Sequence, residues 1–76
     1  MTDDENKSRA EAIGNRVKEL RKKSGYNSYE TFAVDNNMSR RNYWRIEKGK
    51  NFTIETLLKI TKIHKITLEE FFKGLE

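Results

Sequence analysis

Apolar residues recur along this chain at spacings of three and four, and no stretch alternates convincingly as a strand would. Near the start, Ile13, Val17 and Leu20 share one face of a helix. We predict that this first helix begins at about Arg9. It ends before Gly25, because glycine readily adopts the left-handed conformation that stops a helix.

Four further helices are predicted from capping residues and from the same apolar spacing. Their N-caps, in chain order, are Asn27 or Ser28, then Ser39, Thr53 and Thr67. Glu30 would complete a capping box after Asn27, and Glu70 would complete another in the last helix. The second and third helices end at Asn37 and Gly49, which tolerate the left-handed conformation.

The apolar spacing also predicts which residues of these helices face a core. They are Phe32, Ala33, Tyr43, Ile46, Ile54, Leu57, Leu58, either Ile60 or Ile63, Leu68, and one of the two phenylalanines Phe71 and Phe72. Five short helices without a convincing strand predict an all-α, five-helix fold. Residues 1–8 are polar, charged and without periodicity, so we expect a flexible arm there and a single domain over residues 9–76.

The composition excludes several classes of protein. The chain has no cysteine, which rules out disulfides, thiolate metal sites and cysteine nucleophiles. Its single histidine, His64, cannot form a metal site alone, and we expect it at the surface at the end of the fourth helix. We therefore expect no enzyme activity, no metal and no cofactor. No apolar run is long enough to cross a membrane or to form a signal-peptide core, so a cytoplasmic protein without membrane contact is expected.

The net charge of +4 is unevenly distributed along the chain. Residues 12–24 and 39–51 each carry five basic groups against one acidic group, while the other segments are acidic or balanced. Two short segments therefore supply the positive field, as a surface that faces phosphates requires. The alternative is that these lysine-rich helices are merely well solvated.

The segment from Ser39 to Gly49 has the most specific pattern. Tyr43 and Ile46 are three residues apart and share one face of the helix, while the rest of its surface carries forked hydrogen-bond donors. These donors are Arg40, Arg41, Asn42 and Arg45. In the major groove of DNA, arginine pairs with guanine and asparagine with adenine, so we predict that residues 39–48 form a helix that reads bases. We expect Trp44 to be partly exposed, either over Lys48, against a neighbouring helix, or on a sugar or thymine methyl.

The spacing of residues from 32 to 49 also resembles that of a known family. The residues that carry the resemblance are Phe32, Ala33, Met38, Ser39, Tyr43, Ile46, Glu47 and Gly49. In this pattern the chain resembles the Cro/C1-type helix-turn-helix family, which includes phage repressors and many small bacterial regulators. The resemblance extends from about Ile13 to Phe72. It implies a five-helix domain whose second and third helices form the DNA-binding motif.

The resemblance implies roles for individual residues. Arg40, Arg41 and Arg45 fall where family members contact base edges. Tyr29 falls near the start of the second helix, where the family often has a polar side chain on a phosphate. With residues chosen for their own chemistry, the predicted phosphate contacts are Ser28, Tyr29, Lys50 and Asn51. Lys18, Lys22 and Lys23 are further candidates, and the alternative is that none of these lysines touches phosphate.

An ion pair is predicted between Arg21 and Glu47. Some family members have an arginine–glutamate pair at these positions, beneath the surface that faces DNA. Glu47 follows the core residue Ile46, and Arg21 follows Leu20 at the end of an inward face. The pair is either exposed and worth little, or partly buried so that it fixes the first helix against the third.

Two functions from different classes are compatible with these features. The first is a sequence-specific transcription regulator that binds double-stranded DNA as a homodimer. The second is a protein-interaction module, such as an antitoxin or accessory subunit, whose partner is another protein. The last helix carries more apolar residues than one helix face can bury, so Phe72 and Leu75 are predicted to form a weak homodimer contact.

Overall fold

Five helices make up the part of the chain that the computed structural model describes, residues 3–50 and 52–75, with side chains from Lys7 onward. They are α1 (Asp3–Lys23), α2 (Tyr29–Asp35), α3 (Arg40–Glu47), α4 (Ile54–His64) and α5 (Leu68–Phe72). The described residues contain no strand, so the predicted all-α, five-helix fold is confirmed. None of these helices is both long enough and apolar enough to cross a membrane.

The first helix is longer than its apolar pattern predicted. It begins at Asp3, so the predicted start at about Arg9 is wrong. Helix formation is cooperative, and a helix held by one packed face extends through neighbouring polar residues until a breaker intervenes. No glycine or proline stands between Asp3 and Arg9 to act as one. The flexibility of residues 1–8 as an arm stays a prediction.

The later helices begin at side chains that accept hydrogen bonds from the first helical turn. The caps are Ser28, Ser39, Thr53 and Thr67, and each accepts from the backbone N–H three residues later at 3.1–3.3 Å. Glu70 completes the capping box of α5, as predicted. The box predicted between Asn27 and Glu30 is wrong, because Ser28 is the cap and its third residue is Thr31.

The first four helices all end in the same motif. A residue with positive φ follows each helix: Gly25 (93°), Asn37 (57°), Gly49 (76°) and Lys65 (56°). After α3, for example, the Gly49 N–H donates to the Ile46 carbonyl at 3.0 Å and the Lys50 N–H to the Arg45 carbonyl at 2.8 Å. These are the two hydrogen bonds of a Schellman motif. Lys65 was not predicted there, because this conformation costs about 1–2 kcal/mol for a residue that lacks the short polar side chain of asparagine.

The core lies where the inner faces of the five helices meet. Its buried apolar residues are Val17, Phe32, Ala33, Tyr43, Ile46, Leu57, Ile60 and Phe71. The predictions for Ile54 and Leu58 are wrong, because 70% and 49% of their surfaces are exposed. The buried stripe of α4 runs through Leu57, Ile60 and Thr61, and Ile54 and Leu58 fall outside it.

The single histidine lies at the end of α4, as predicted, but it is half-buried instead of exposed at the surface. His64 stacks on the Phe32 ring, with centroids 5.4 Å apart and ring planes 8° apart. Its Nε2 atom is buried and has no hydrogen-bond partner among the described residues. Burial lowers the pKa of His64, so the neutral ring is favoured in this position.

Backbone-to-backbone contact positions α3 against α1. A Cβ atom built on Gly14 would lie 2.5 Å from the Glu47 carbonyl oxygen, and one on Gly49 would lie 2.5 Å from the Ala10 carbonyl oxygen. Only residues without a Cβ permit this approach at both points. The end of α3 is therefore fixed on the middle of α1.

A side chain of α1 also holds the last helix. Arg16 Nη1 donates to the Phe71 carbonyl at 2.6 Å, and Nη2 donates to the Lys73 carbonyl at 2.9 Å. These carbonyls end a helix of five residues and have no intrahelical partners. Arg16 therefore caps α5 from another helix, a contact that the sequence pattern did not indicate.

Candidate nucleic-acid interface

The outward side of α3 carries the four predicted base-contacting residues. Arg40, Arg41 and Asn42 are exposed and Arg45 is half-buried, while Tyr43 and Ile46 on the inner side are buried. At 100° per residue, Arg41 and Arg45 lie one turn apart near the middle of the outward face. Arg40 and Asn42 lie on its two flanks. The helix therefore presents two guanidinium groups in line, each with five donors.

The predicted phosphate contacts lie at the ends of the motif helices. Ser28 and Tyr29 are half-buried at the start of α2, where the Ser28 Oγ atom already accepts from the Thr31 N–H. That arrangement leaves the Ser28 O–H free to act as a donor. Lys50 is the last residue of the Schellman motif that ends α3, and it is exposed. Asn51, the fourth predicted contact, lies outside the described residues.

The structure brings Arg21 and Glu47 together as a buried pair. Arg21 Nε donates to Glu47 Oε2 at 2.7 Å, and Nη2 donates to Oε1 at 3.2 Å. Only 4% and 7% of the two side chains are exposed, so the buried arrangement is the one present. The hydrogen bond to Glu47 raises the pKa of Arg21, and burial opposes this. Arg21 also donates to the Tyr26 carbonyl at 2.9 Å, so one side chain joins α1, α3 and the turn before α2.

Tyr43 lies against this pair. Its hydroxyl is buried and has no hydrogen bond of good geometry among the described residues. Burial, followed by the neighbouring Glu47 carboxylate, raises the pKa of Tyr43. The phenol is therefore neutral, and α3 carries no buried negative charge besides the paired Glu47.

Trp44 packs with Lys48, the residue that follows the last turn of α3, which is one of the arrangements considered from the sequence. The Lys48 Nζ atom lies 5.8 Å from the centroid of the Trp44 ring, within the range of a cation–π contact. Lys48 was not among the predicted contacts. It follows Arg41 and Arg45 along the outward face of the helix and adds a third positive charge there.

The exposed apolar residues of α5 differ in part from the prediction. Phe71 is the core residue, and Leu68, predicted to face the core, is 44% exposed. Phe72 is 38% exposed and lies four residues after Leu68, on the same face of the helix. Leu75 is half-buried at the edge of the core. The pair predicted for self-association therefore has Leu68 as a neighbour.

The described residues hold no cluster of three or more side chains that could bind a metal ion. The one histidine is stacked on Phe32 and lacks a carboxylate partner. On the outward face of α3, the side chains offer donation of hydrogen bonds by arginine.

Comparison with known proteins provides one informative match. The chain is 41% identical over 65 residues to Control protein C.MunI of Mycoplasma sp, and the match covers 84% of this chain and 88% of that protein. No family model and no solved structure matches the chain. The relative is named as a control protein and not as an enzyme, in agreement with the expectation from the sequence. This chain therefore belongs to the family of control proteins that includes C.MunI.

Proposed function

We propose that this protein is a cytoplasmic transcription regulator that binds a specific sequence of double-stranded DNA as a homodimer. The observation that carries the proposal is the outward face of α3, where Arg41 and Arg45 lie one turn apart opposite a fully buried face. Membership in a family of control proteins supports a regulatory role. The resemblance to Cro/C1-type proteins supports the same placement of the helix.

In this proposal α3 lies in the major groove and reads base edges. Arg41 and Arg45 would each make paired hydrogen bonds to a guanine, and Asn42 would do so to an adenine. Ser28, Tyr29, Lys50 and Asn51 would bind phosphates and fix the register of the helix without reading sequence. The buried Arg21–Glu47 pair would hold α3 at a constant angle to the rest of the domain.

The homodimer would place two copies of α3 in successive major grooves on one side of the duplex. Half-sites would then be about one helical turn, roughly 34 Å, apart. Phe72 and Leu75, with Leu68 beside them, form a small apolar surface at one end of the domain. So small a surface supports a weak dimer that a two-fold DNA site completes.

Replacing Arg41 by alanine is expected to weaken binding to the specific site by about 1–3 kcal/mol and to relax the preference at one base pair, a G·C pair. Lys62→Ala, which removes an exposed positive charge from α4, serves as the control and is expected to leave the base preference unchanged. Binding titrations with matched and single-mismatch duplexes measure both effects. Equal loss of affinity on specific and random DNA would identify Arg41 as a phosphate contact.

Replacing Phe72 or Leu75 by glutamate is expected to abolish weak self-association and cooperative DNA binding while the domain stays folded. A charge placed in an apolar contact must be buried without a partner, which opposes association. Ile54→Glu changes an apolar residue that is more exposed but lies outside this surface, so it is the control. Sedimentation velocity measures association. An unchanged dimer in both α5 variants would place the interface elsewhere.

A further inference from the structure

An open cleft of about 490 Å³ lies at the junction of α1 and α3, beside the proposed DNA surface. The buried pair Arg21 and Glu47 lies among its lining residues. Tyr29 and Trp44 add two aromatic side chains with polar tips, a phenol O–H and an indole N–H. The cleft is therefore an accessible space whose lining offers hydrogen-bond donors.

The charge in this cleft is predominantly positive. Lys18 from α1, Lys48 from the end of α3 and Lys50 from the loop that follows all line it, and all three are exposed. Arg21 and Glu47 neutralise each other by their hydrogen bonds. Apart from Glu47, the only carboxylate among the lining residues is that of Glu11. Lysines from three segments of the chain thus line one space, so the cleft has the positive charge that favours binding of a multiply oxygenated anion.

We propose that this cleft is a phosphate-binding site in which Lys18 and Lys48 act together with Lys50. The inference rests in part on the proposed function, because Tyr29 and Lys50 are among the predicted phosphate contacts and both line the cleft. A phosphodiester of the bound duplex is then the occupant. Through Lys18, α1 would become part of the DNA-binding surface although it lies outside the two motif helices.

Binding of duplex DNA across a range of salt concentrations tests the site. Lys18→Gln and Lys48→Gln are each expected to reduce the slope of log K against log [salt] by about 0.9, the value for one lost phosphate contact. With equal binding of wild type and variant at 1 M salt, this change in slope corresponds to roughly fivefold weaker binding of the variant at 0.15 M salt. The loss is expected to be equal on specific and random duplexes. Lys62→Gln removes an exposed lysine that does not line the cleft and is expected to change neither quantity.

Trp44 provides a readout that does not depend on DNA. It is the single tryptophan of the sequence and lines the cleft, so its fluorescence reports occupancy directly. Titration with inorganic phosphate, against chloride at equal ionic strength, tests free phosphate as a second source of the ligand. A fluorescence change that Lys18→Gln weakens severalfold, and Lys62→Gln leaves intact, supports the site.

The outcomes separate this inference from the proposed function. In one outcome, the wild-type protein binds duplex DNA and Arg41→Ala relaxes its base preference, as the proposed function requires. If Lys18→Gln then keeps the full salt slope, and phosphate leaves the Trp44 fluorescence unchanged, the cleft is not a phosphate site. In the opposite outcome, the wild-type protein binds no duplex, but phosphate changes the Trp44 fluorescence and Lys18→Gln weakens that change. Phosphate binding in the cleft is then supported, and the DNA-binding proposal fails. Thermal unfolding of each variant confirms that it is folded.

Discussion

Glu47→Ala is expected to lower the free energy of unfolding by about 3–5 kcal/mol, since it leaves the Arg21 guanidinium buried without its carboxylate. Arg21 loses two hydrogen bonds in that variant and keeps only the one to the Tyr26 carbonyl. A domain of this size has a total stability on the order of 5–10 kcal/mol. The variant should therefore melt at least 10 °C lower, at roughly 4 °C or more per kcal/mol.

Glu19→Ala is the matched control for this experiment. Glu19 lies 3.7 Å from both Arg16 and Lys23, but its carboxylate is largely exposed, so its loss should cost less than about 1 kcal/mol. The double variant with Arg21→Met and Glu47→Leu should recover most of the stability, because no charge is then stranded. If Glu47→Ala and Glu19→Ala lower the free energy of unfolding by the same small amount, the Arg21–Glu47 pair does not hold α3 in place.

Gly49→Ala is the second variant with a large expected effect. It should lower the free energy of unfolding by about 2–5 kcal/mol. Alanine is strained at a φ of +76°, which costs about 1–2 kcal/mol. Its Cβ would also lie 2.5 Å from the oxygen and 2.7 Å from the carbon of the Ala10 carbonyl, both of them backbone atoms of α1. Because backbone atoms cannot rotate away, α1 and α3 must separate, which adds about 1–3 kcal/mol. Urea denaturation measures the total.

Gly25→Ala separates the two contributions. Gly25 ends α1 in the same Schellman motif at φ +93°, and a Cβ there meets nothing within 4 Å. This variant carries the strain without the clash, so it should cost only about 1–2 kcal/mol. DNA affinity should fall for Gly49→Ala alone, since only that variant moves α3. If the two variants lose the same free energy of unfolding, then α1 and α3 can move apart at Gly49 without destabilising the domain.

Features that depend on local sequence could be predicted. Ser39 caps α3 and Asn37 ends α2 because their side chains and backbone act within one turn, so the chemistry is visible in a short window. The inward positions Tyr43 and Ile46 likewise follow from helical spacing alone. In the candidate site, this local information was enough to place the four donor residues on the outer side of α3.

Features that depend on packing between helices could not be predicted. Leu58 and Leu68 have the right residue type for a core, but the narrow contact made by a short helix leaves them exposed. Gly14 has no local signal for its contact with the Glu47 carbonyl, because that approach arises only when α1 and α3 cross. The three lysines of the cleft come from positions up to 32 residues apart, 18 to 50, so their convergence is a property of the fold.

In the proposed complex, α3 reads DNA sequence as part of a two-fold dimer. Selection of duplexes from a random DNA library by the full chain measures both the sequence preference and its symmetry. We expect enrichment of a palindromic motif with half-sites about one helical turn apart. When the selection is repeated with the Arg41→Ala variant, we expect the preference for one G·C pair to be lost in each half-site. If the folded protein recovers sequences no different from those of the input library, α3 does not read DNA sequence, and the alternative of a protein-interaction module is favoured.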